Sequence, residues 1–240
     1  MKHLIETADP SGLAKVYYDR LILNSTTNDV LVRGGVTYEY VDLGLPSHLK
    51  WAKCNVGAEK ETDYGYYFQW GEIEPHDADT PYDWEHAPFN NGSSSYNSSY
   101  FDSVKDTVCP DGILAKEYDT ATQIVGGNWR IPTDPEFEEL LNNTTNEWFG
   151  NFNGSGVNGY KFTSKINGNY IFIPAAGYYR DGKVDRVGLD GSVWTSSLRP
   201  DSTDYAYTLF FNSSFINADG YDYYGFSYRC NALSVRGVCE

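Results

Sequence analysis

Residues 128–174 constrain the fold more tightly than any other stretch. The run NWRIPTDPEFEELLNN sets Thr133 three residues before Glu136, with Pro135 in between. That is a capping box with proline in the first helical turn, and Phe137, Leu140 and Leu141 then form one apolar stripe. A helix is predicted over 134–143. Soon afterwards, 160–165 and 169–174 flank Ile166-Asn167-Gly168, and Asn-Gly is the strongest short-range hairpin signal. The second arm, YIFIPAAG, is apolar enough to be a central strand. A capped helix feeding an antiparallel hairpin points to an α+β fold.

The rest of the chain agrees with that class. Aromatic residues make up 16% of the sequence, Met occurs only as Met1, and long leucine-rich amphipathic stretches are scarce. These features favour a loop-rich α+β or mainly β protein over a helical bundle. With 240 residues the chain holds one large domain, or one domain with an extension. The formal charge of −15 lacks the basic surface that phosphates require, so nucleic acid is excluded as a partner, and an anionic membrane surface with it. No run of 18 apolar residues is present, so membrane insertion is not expected. The start, MKHLIETADPSG, lacks the apolar core of a secretory leader. Release by lysis, as for a virion component, would make such a leader unnecessary. Cys54, Cys109, Cys230 and Cys239 show no CxxC spacing, which argues against zinc and leaves disulfides and buried thiols both open.

Residues 1–37 read as a short N-terminal β segment, with strands expected at 16–23 (VYYDRLIL) and 29–33 (DVLVR). It is either an attachment and oligomerisation segment or an ordinary first strand pair of the following domain, 38–240. Val41, Leu43, Leu45, Leu49 and Trp51 alternate as in a half-buried strand, and 64–70 reads as an aromatic strand. Residues 76–98 form a long acidic, then Asn/Ser/Gly-rich loop. Asp77, Asp79 and Asp83 in it lack the regular ligand alternation of a calcium loop. A first helix is expected over 113–124 and a Gly- and charge-rich loop over 178–193. The four histidines (His3, His48, His76, His86) read as surface residues. Glu72 and Glu74, read as strand neighbours on one face, lack a visible partner cleft for glycosidase chemistry. No P-loop, GxGxxG, HExxH or Ser-His-Asp order is present, so neither enzymatic activity nor a cofactor is expected.

The segment from Thr195 to Ser234 contains no Lys, Glu, Met, Gln or Trp and is filled with Tyr, Ser, Asp, Asn, Phe and Gly. That palette suits adaptable binding surfaces, with rigid aromatics for contact area and small polar residues for hydrogen bonds. Within 206–217 (AYTLFFNSSFIN), Tyr207, Leu209 and Phe211 fall on one strand face and Ala206, Thr208 and Phe210 on the other. A turn at Asn212-Ser213-Ser214 would reset the parity before Phe215.

Taken in order, VDLGLPSHLKWAKCNVGA, YGYYFQWGE, GGNWRIPTDPEFEEL, VNGYKFTSKINGNYIFIPAAG, VWTSSL and SVRGVCE resemble the Fibrobacter succinogenes major paralogous domain over about residues 40–240. The resemblance implies a C-type-lectin-like domain, related to the formylglycine-generating enzyme fold, with two helices and a small antiparallel sheet. It also implies a variable protein of the diversity-generating-retroelement type, whose C-terminal codons are mutated to vary a binding surface. Relatives read Asn where this chain has Thr208, Phe210 and Phe215, so these residues are expected to face outward. The closely spaced catalytic cysteine pair of the formylglycine-generating relatives is missing near Cys230, as are the EPN, QPD and WND tripeptides of calcium-dependent sugar lectins.

The expected function is therefore a non-catalytic receptor-binding (adhesin) module at the tip of a phage tail fibre, recognising a host cell-surface protein or glycan. The alternative is a bacterial cell-surface or lipoprotein domain binding polysaccharide or protein. Homo-oligomers, a trimer among them, and contacts to other fibre subunits through 1–37 are expected. Trp129, the 134–143 helix, the 160–174 hairpin and Trp194 are expected to form the scaffold. The expected contact residues are Tyr179, Arg180 and Asp185, with Asp204, Tyr205, Thr208, Phe210, Asn212, Phe215, Asn217, Tyr221, Asp222, Tyr223, Tyr224 and Tyr228. No metal site is expected.

Overall fold

The computed structural model describes residues 30–33, 36–76, 80–180, 182–217 and 225–240. The expected strand at 16–23 lies outside them. The chain is α+β, with three α-helices and several small antiparallel sheets among the described residues. One sheet runs β1 (Val30–Arg33), β2 (Val36–Asp42), β3 (Lys50–Ala52) and β13 (Val238–Cys239), so the last strand closes against the first ones. Strand β2 crosses the 37/38 boundary and pairs with both β1 and β3.

The alternation read as one strand from Val41 to Trp51 is split between β2 and β3 by a loop. Leu43, Leu45 and Leu49 of that loop are nevertheless buried. Residues 64–70 are not a strand either. Phe68 makes only an isolated bridge to Leu233, while Phe68 and Trp70 sink into the core.

Helix α1 (Ser98–Val108) was not anticipated. Asn97 caps it, its Oδ1 accepting the Tyr100 N–H at 3.1 Å, and Phe101 and Val108 are buried. The apolar spacing was there, but the Asn/Ser-rich flank disguised it. The helix expected over 113–124 breaks up. Ile113 and Leu114 run beside Ser197 and Ser196, Lys116–Tyr118 is a single 3₁₀ turn, and α2 (Thr120–Ile124) begins only after Asp119. Asp119 stops the helix from starting earlier, because its Oδ1 accepts the Thr122 N–H and its Oδ2 the Ile131 N–H, each at 2.8 Å.

Helix α3 (Asp134–Asn143) forms as the sequence indicates, with Phe137 and Leu140 buried. The Glu136 carboxylate accepts the Thr133 N–H at 2.8 Å and a bidentate pair from Arg130 at 2.7 and 2.5 Å. Burial would raise the Glu136 pKa, but these bonds outweigh it and hold it below the ordinary carboxylate value. The chain continues through β4 (Thr144–Gly150), β5 (Asn158–Ser164) and β6 (Tyr170–Pro174), a three-stranded sheet in which the expected β5–β6 hairpin forms, but with β5 at the centre and β6, expected to be central, at the edge.

Strand β9 (Asp190–Leu198) is buried along its whole length and pairs with β10 (Tyr205–Asn212). Two apolar clusters flank this pair. Trp194, Leu198 and Ala206 join one, with Trp70, Phe101 and Trp129; Val193, Leu209 and Phe211 join the other, with Trp51, Phe137 and Phe162. The Trp194 and Trp70 indoles donate to the carbonyls of Phe68 (2.7 Å) and Thr195 (3.0 Å). Cys54, Cys109 and Cys239 are free thiols.

Candidate functional site

The stretch 178–193 is not a loop. It contains the hairpin of β7 (Tyr178–Arg180) and β8 (Lys183–Asp185) before β9 begins. Gly177 lets this hairpin fold back. Its φ is +66°, and a Cβ there would meet the Asp185 carbonyl oxygen at 2.0 Å. Gly177→Ala is therefore expected to cost about 2–3 kcal/mol in denaturant unfolding, from left-handed strain plus overpacking. A change under about 0.5 kcal/mol would show that the hairpin is not seated this tightly. Arg186 clamps the other end through two bonds to Asp190, at 2.7 and 3.1 Å.

β7 stands opposite β10 and β12 (Phe226–Tyr228), which pairs with β10 through Tyr205↔Tyr228. Between them lies a cleft of about 280 Å³. Tyr178, Tyr205, Phe210, Phe226 and Tyr228 supply its aromatic walls, and Arg180, Asp190, Ser192, Ser227 and Asn231 its polar groups. Tyr205 and Tyr228 stack at 4.1 Å, Phe226 meets Tyr205 edge-on at 5.1 Å, and the Arg199 guanidinium lies 3.9 Å from the Phe226 ring. Each ring is thus fixed by a neighbour, which lowers the entropy lost when a ligand contacts it.

Of the expected contact residues, this cleft gathers Arg180, Tyr205, Phe210 and Tyr228. Phe210 is only 8% exposed, so it serves as floor more than as projecting anchor. Thr208 is corrected outright. It is fully buried, because the β10 face it shares with Ala206 meets the first apolar cluster and not solvent.

Tyr179 turns inward against Tyr82, ring centroids 4.7 Å apart. Asp185 accepts the Arg186 N–H, and Asp204 offers its carbonyl to Arg229. The expected turn is present: Asn212 Oδ1 accepts the Ser214 and Phe215 N–H groups, and Phe215 folds back to 5.7 Å from Phe210. Asn217 sits in the two-residue strand β11 (Ile216–Asn217), opposite Phe210. Tyr221, Asp222, Tyr223 and Tyr224 lie outside the described residues.

Tyr178, Asp190 and Ser192 are not among the expected contact residues, because glycine and charge content make their segment look like a loop. Nor are Phe226, Ser227 and Asn231, which flank Tyr228.

A second cleft of about 310 Å³ lies between α2, Trp129 and Ser196. Of its charged residues Lys116, Asp119, Arg130 and Glu240, the two buried deepest, Asp119 and Arg130, are already engaged by backbone N–H groups and by Glu136. Among the described residues, no group of three or more His, Cys, Asp or Glu is placed to hold a metal ion, and no helix is long and apolar enough to cross a membrane. Asp77 and Asp79 of the acidic loop lie outside the described residues.

Two surface expectations fail nearby. Glu72 and Glu74 do not share a strand face: Glu74 is exposed, whereas Glu72 is buried beside His76, which is not a surface residue. Comparisons with known protein families, curated proteins and solved structures find no match. The family resemblance therefore rests on the ordered motifs alone.

Proposed function

We propose that this chain is a non-catalytic receptor-binding module whose ligand surface is the aromatic cleft between β7, β10 and β12. The observation that carries the reading is the composition of that cleft: five aromatic side chains, four of them held by ring contacts, with a few polar groups at their edges. Most of these residues come from the stretch that lacks Lys, Glu, Met, Gln and Trp. Rigid aromatics at a concave site supply the anchors on which binding energy concentrates. The motif resemblance supports the setting, an adhesin at a phage tail-fibre tip recognising a bacterial host surface, with multivalent display strengthening weak single contacts.

The test is binding of labelled protein to intact cells from a panel of candidate host bacteria. Tyr205→Ala and Tyr228→Ala are each expected to weaken binding by roughly 1–3 kcal/mol, about fivefold to 150-fold, with an unchanged circular dichroism spectrum. Glu59→Ala, on an exposed loop elsewhere, serves as the control. Full binding by both tyrosine variants would place the site elsewhere.

A further inference from the structure

Behind β7 lies a buried polar pair that the cleft does not use. Glu72 Oε1 and His76 Nε2 are 2.5 Å apart, with side chains 9% and 11% exposed. Glu72 Oε2 accepts the Gln69 N–H at 2.8 Å, and its carbonyl accepts the Thr120 hydroxyl at 2.6 Å. The His76 ring stacks on Tyr82 with centroids 4.2 Å apart and planes 4° from parallel. Tyr82 is tied back, its hydroxyl donating to the Tyr67 carbonyl at 2.8 Å and accepting the His76 N–H at 3.2 Å. The far edge of Tyr82 meets Tyr179 at 4.7 Å, and Tyr179 is the central residue of β7. Its sequence neighbours, Tyr178 and Arg180, are cleft walls.

We propose that Glu72 and His76 form a proton-dependent clamp that holds Tyr82 against Tyr179, and so makes the β7 wall of the cleft responsive to pH. The inference rests on the cleft reading for its biological meaning, but not for its test. With one proton between them the two side chains are jointly neutral. Removing that proton leaves a net negative charge in a site with almost no water, which favours opening the site so that water reaches the carboxylate. The cheapest movement is of His76 and its stacked Tyr82, because Glu72 is held by Gln69 and Thr120.

Burial pushes the Glu72 carboxyl up to about 8, so the proton is lost within reach of physiological pH. The other groups packed around the pair do not supply this transition. Burial pushes the Tyr67 and Tyr82 phenols up to about 12. Asp83, which burial alone would raise, is held below its ordinary value by His86 at 2.7 Å. Asp119, next to Thr120, is buried and raised, but keeps two backbone N–H bonds. Tyr178, raised by burial, and the charged Arg180 and Asp185 belong to the β7–β8 hairpin itself.

The experiment is an NMR pH series from about 6 to 10 on the free, isotopically labelled full chain. The Glu72 carboxyl, the Tyr82 and Tyr179 rings and the Arg180 amide are expected to shift with one common midpoint near pH 8. In Glu72→Gln the Tyr179 and Arg180 inflections should vanish, whereas in His86→Gln they should persist. Invariant Tyr179 and Arg180 signals in the wild type, or unchanged inflections in Glu72→Gln, would overturn the clamp. The wild-type series decides the matter even if the variant fails to fold. No receptor is present, so failure of the receptor-binding reading leaves this outcome untouched.

Discussion

Arg236→Met is expected to lower the unfolding free energy by about 4 kcal/mol, enough to leave the domain unfolded or only marginally folded. Arg236 is fully buried two residues before β13 and uses its whole guanidinium. Nε donates to Asn55 Oδ1 at 2.9 Å. Nη1 donates to the Ala52 and Lys53 carbonyls at 2.8 and 2.6 Å, and Nη2 to the Phe172 carbonyl at 2.9 Å. Those acceptors belong to β3, the segment after it and β6, so one side chain joins two sheets to the C-terminal segment. Burial lowers its pKa to about 10, so it remains charged at neutral pH and is matched by oxygen dipoles. Methionine fills much of the volume but strands three buried acceptors and the part-buried Lys53 carbonyl, each unmet buried one costing on the order of 1–3 kcal/mol. Lysine is expected to fail as well, because a single ammonium cannot span the fork. Urea denaturation reads the effect. A loss below about 1 kcal/mol in either variant would show that water replaces the guanidinium.

The second large effect is pH-dependent stability from Glu72. Its pKa is raised from 4.5 to about 8 by burial, only partly opposed by the Gln69 N–H. The folded state therefore holds this proton more tightly than the unfolded chain. That contribution is fully present below about pH 4.5 and is lost as pH rises through about 8. A shift of this size corresponds to a few kcal/mol. Between pH 5 and 9 the wild type should lose stability by that order, while Glu72→Gln, which cannot ionise, should show a much flatter profile. Guanidinium melts at five pH values suffice. Parallel profiles would mean that Glu72 titrates normally, and that the slope arises elsewhere among the carboxylates.

Glu72 also shows why part of the candidate site was illegible. On sequence, the two glutamates of GEIEP look equivalent, as strand neighbours on one face. Only the packing of Thr120, Gln69 and His76 around one of them makes the two differ. The β7–β8 hairpin, by contrast, was readable: Asp181-Gly182 between YYR and KVD is itself a strong turn dipeptide. Attention to glycine and charge content hid the alternation. Likewise Phe101, Val104 and Val108 carried a helical stripe inside a run that looked like loop.

Where an interaction is local, residue order alone determined the outcome. The Thr133/Glu136 box started α3 on schedule, Asn167-Gly168 turned the β5–β6 hairpin, and Asn212-Ser213-Ser214 reset the strand before Phe215. Each rests on bonds spanning a few residues, so a short window contains both partners. Strand parity correctly separated Leu209 and Phe211 from Thr208 and Phe210, but it says nothing about what covers either face. Only tertiary packing decided that. It set one apolar cluster on each side of β9 and β10, burying Thr208, and brought β7, β10 and β12 together around one cleft. Burial is a property of the partner surface, and that surface comes from residues far along the chain.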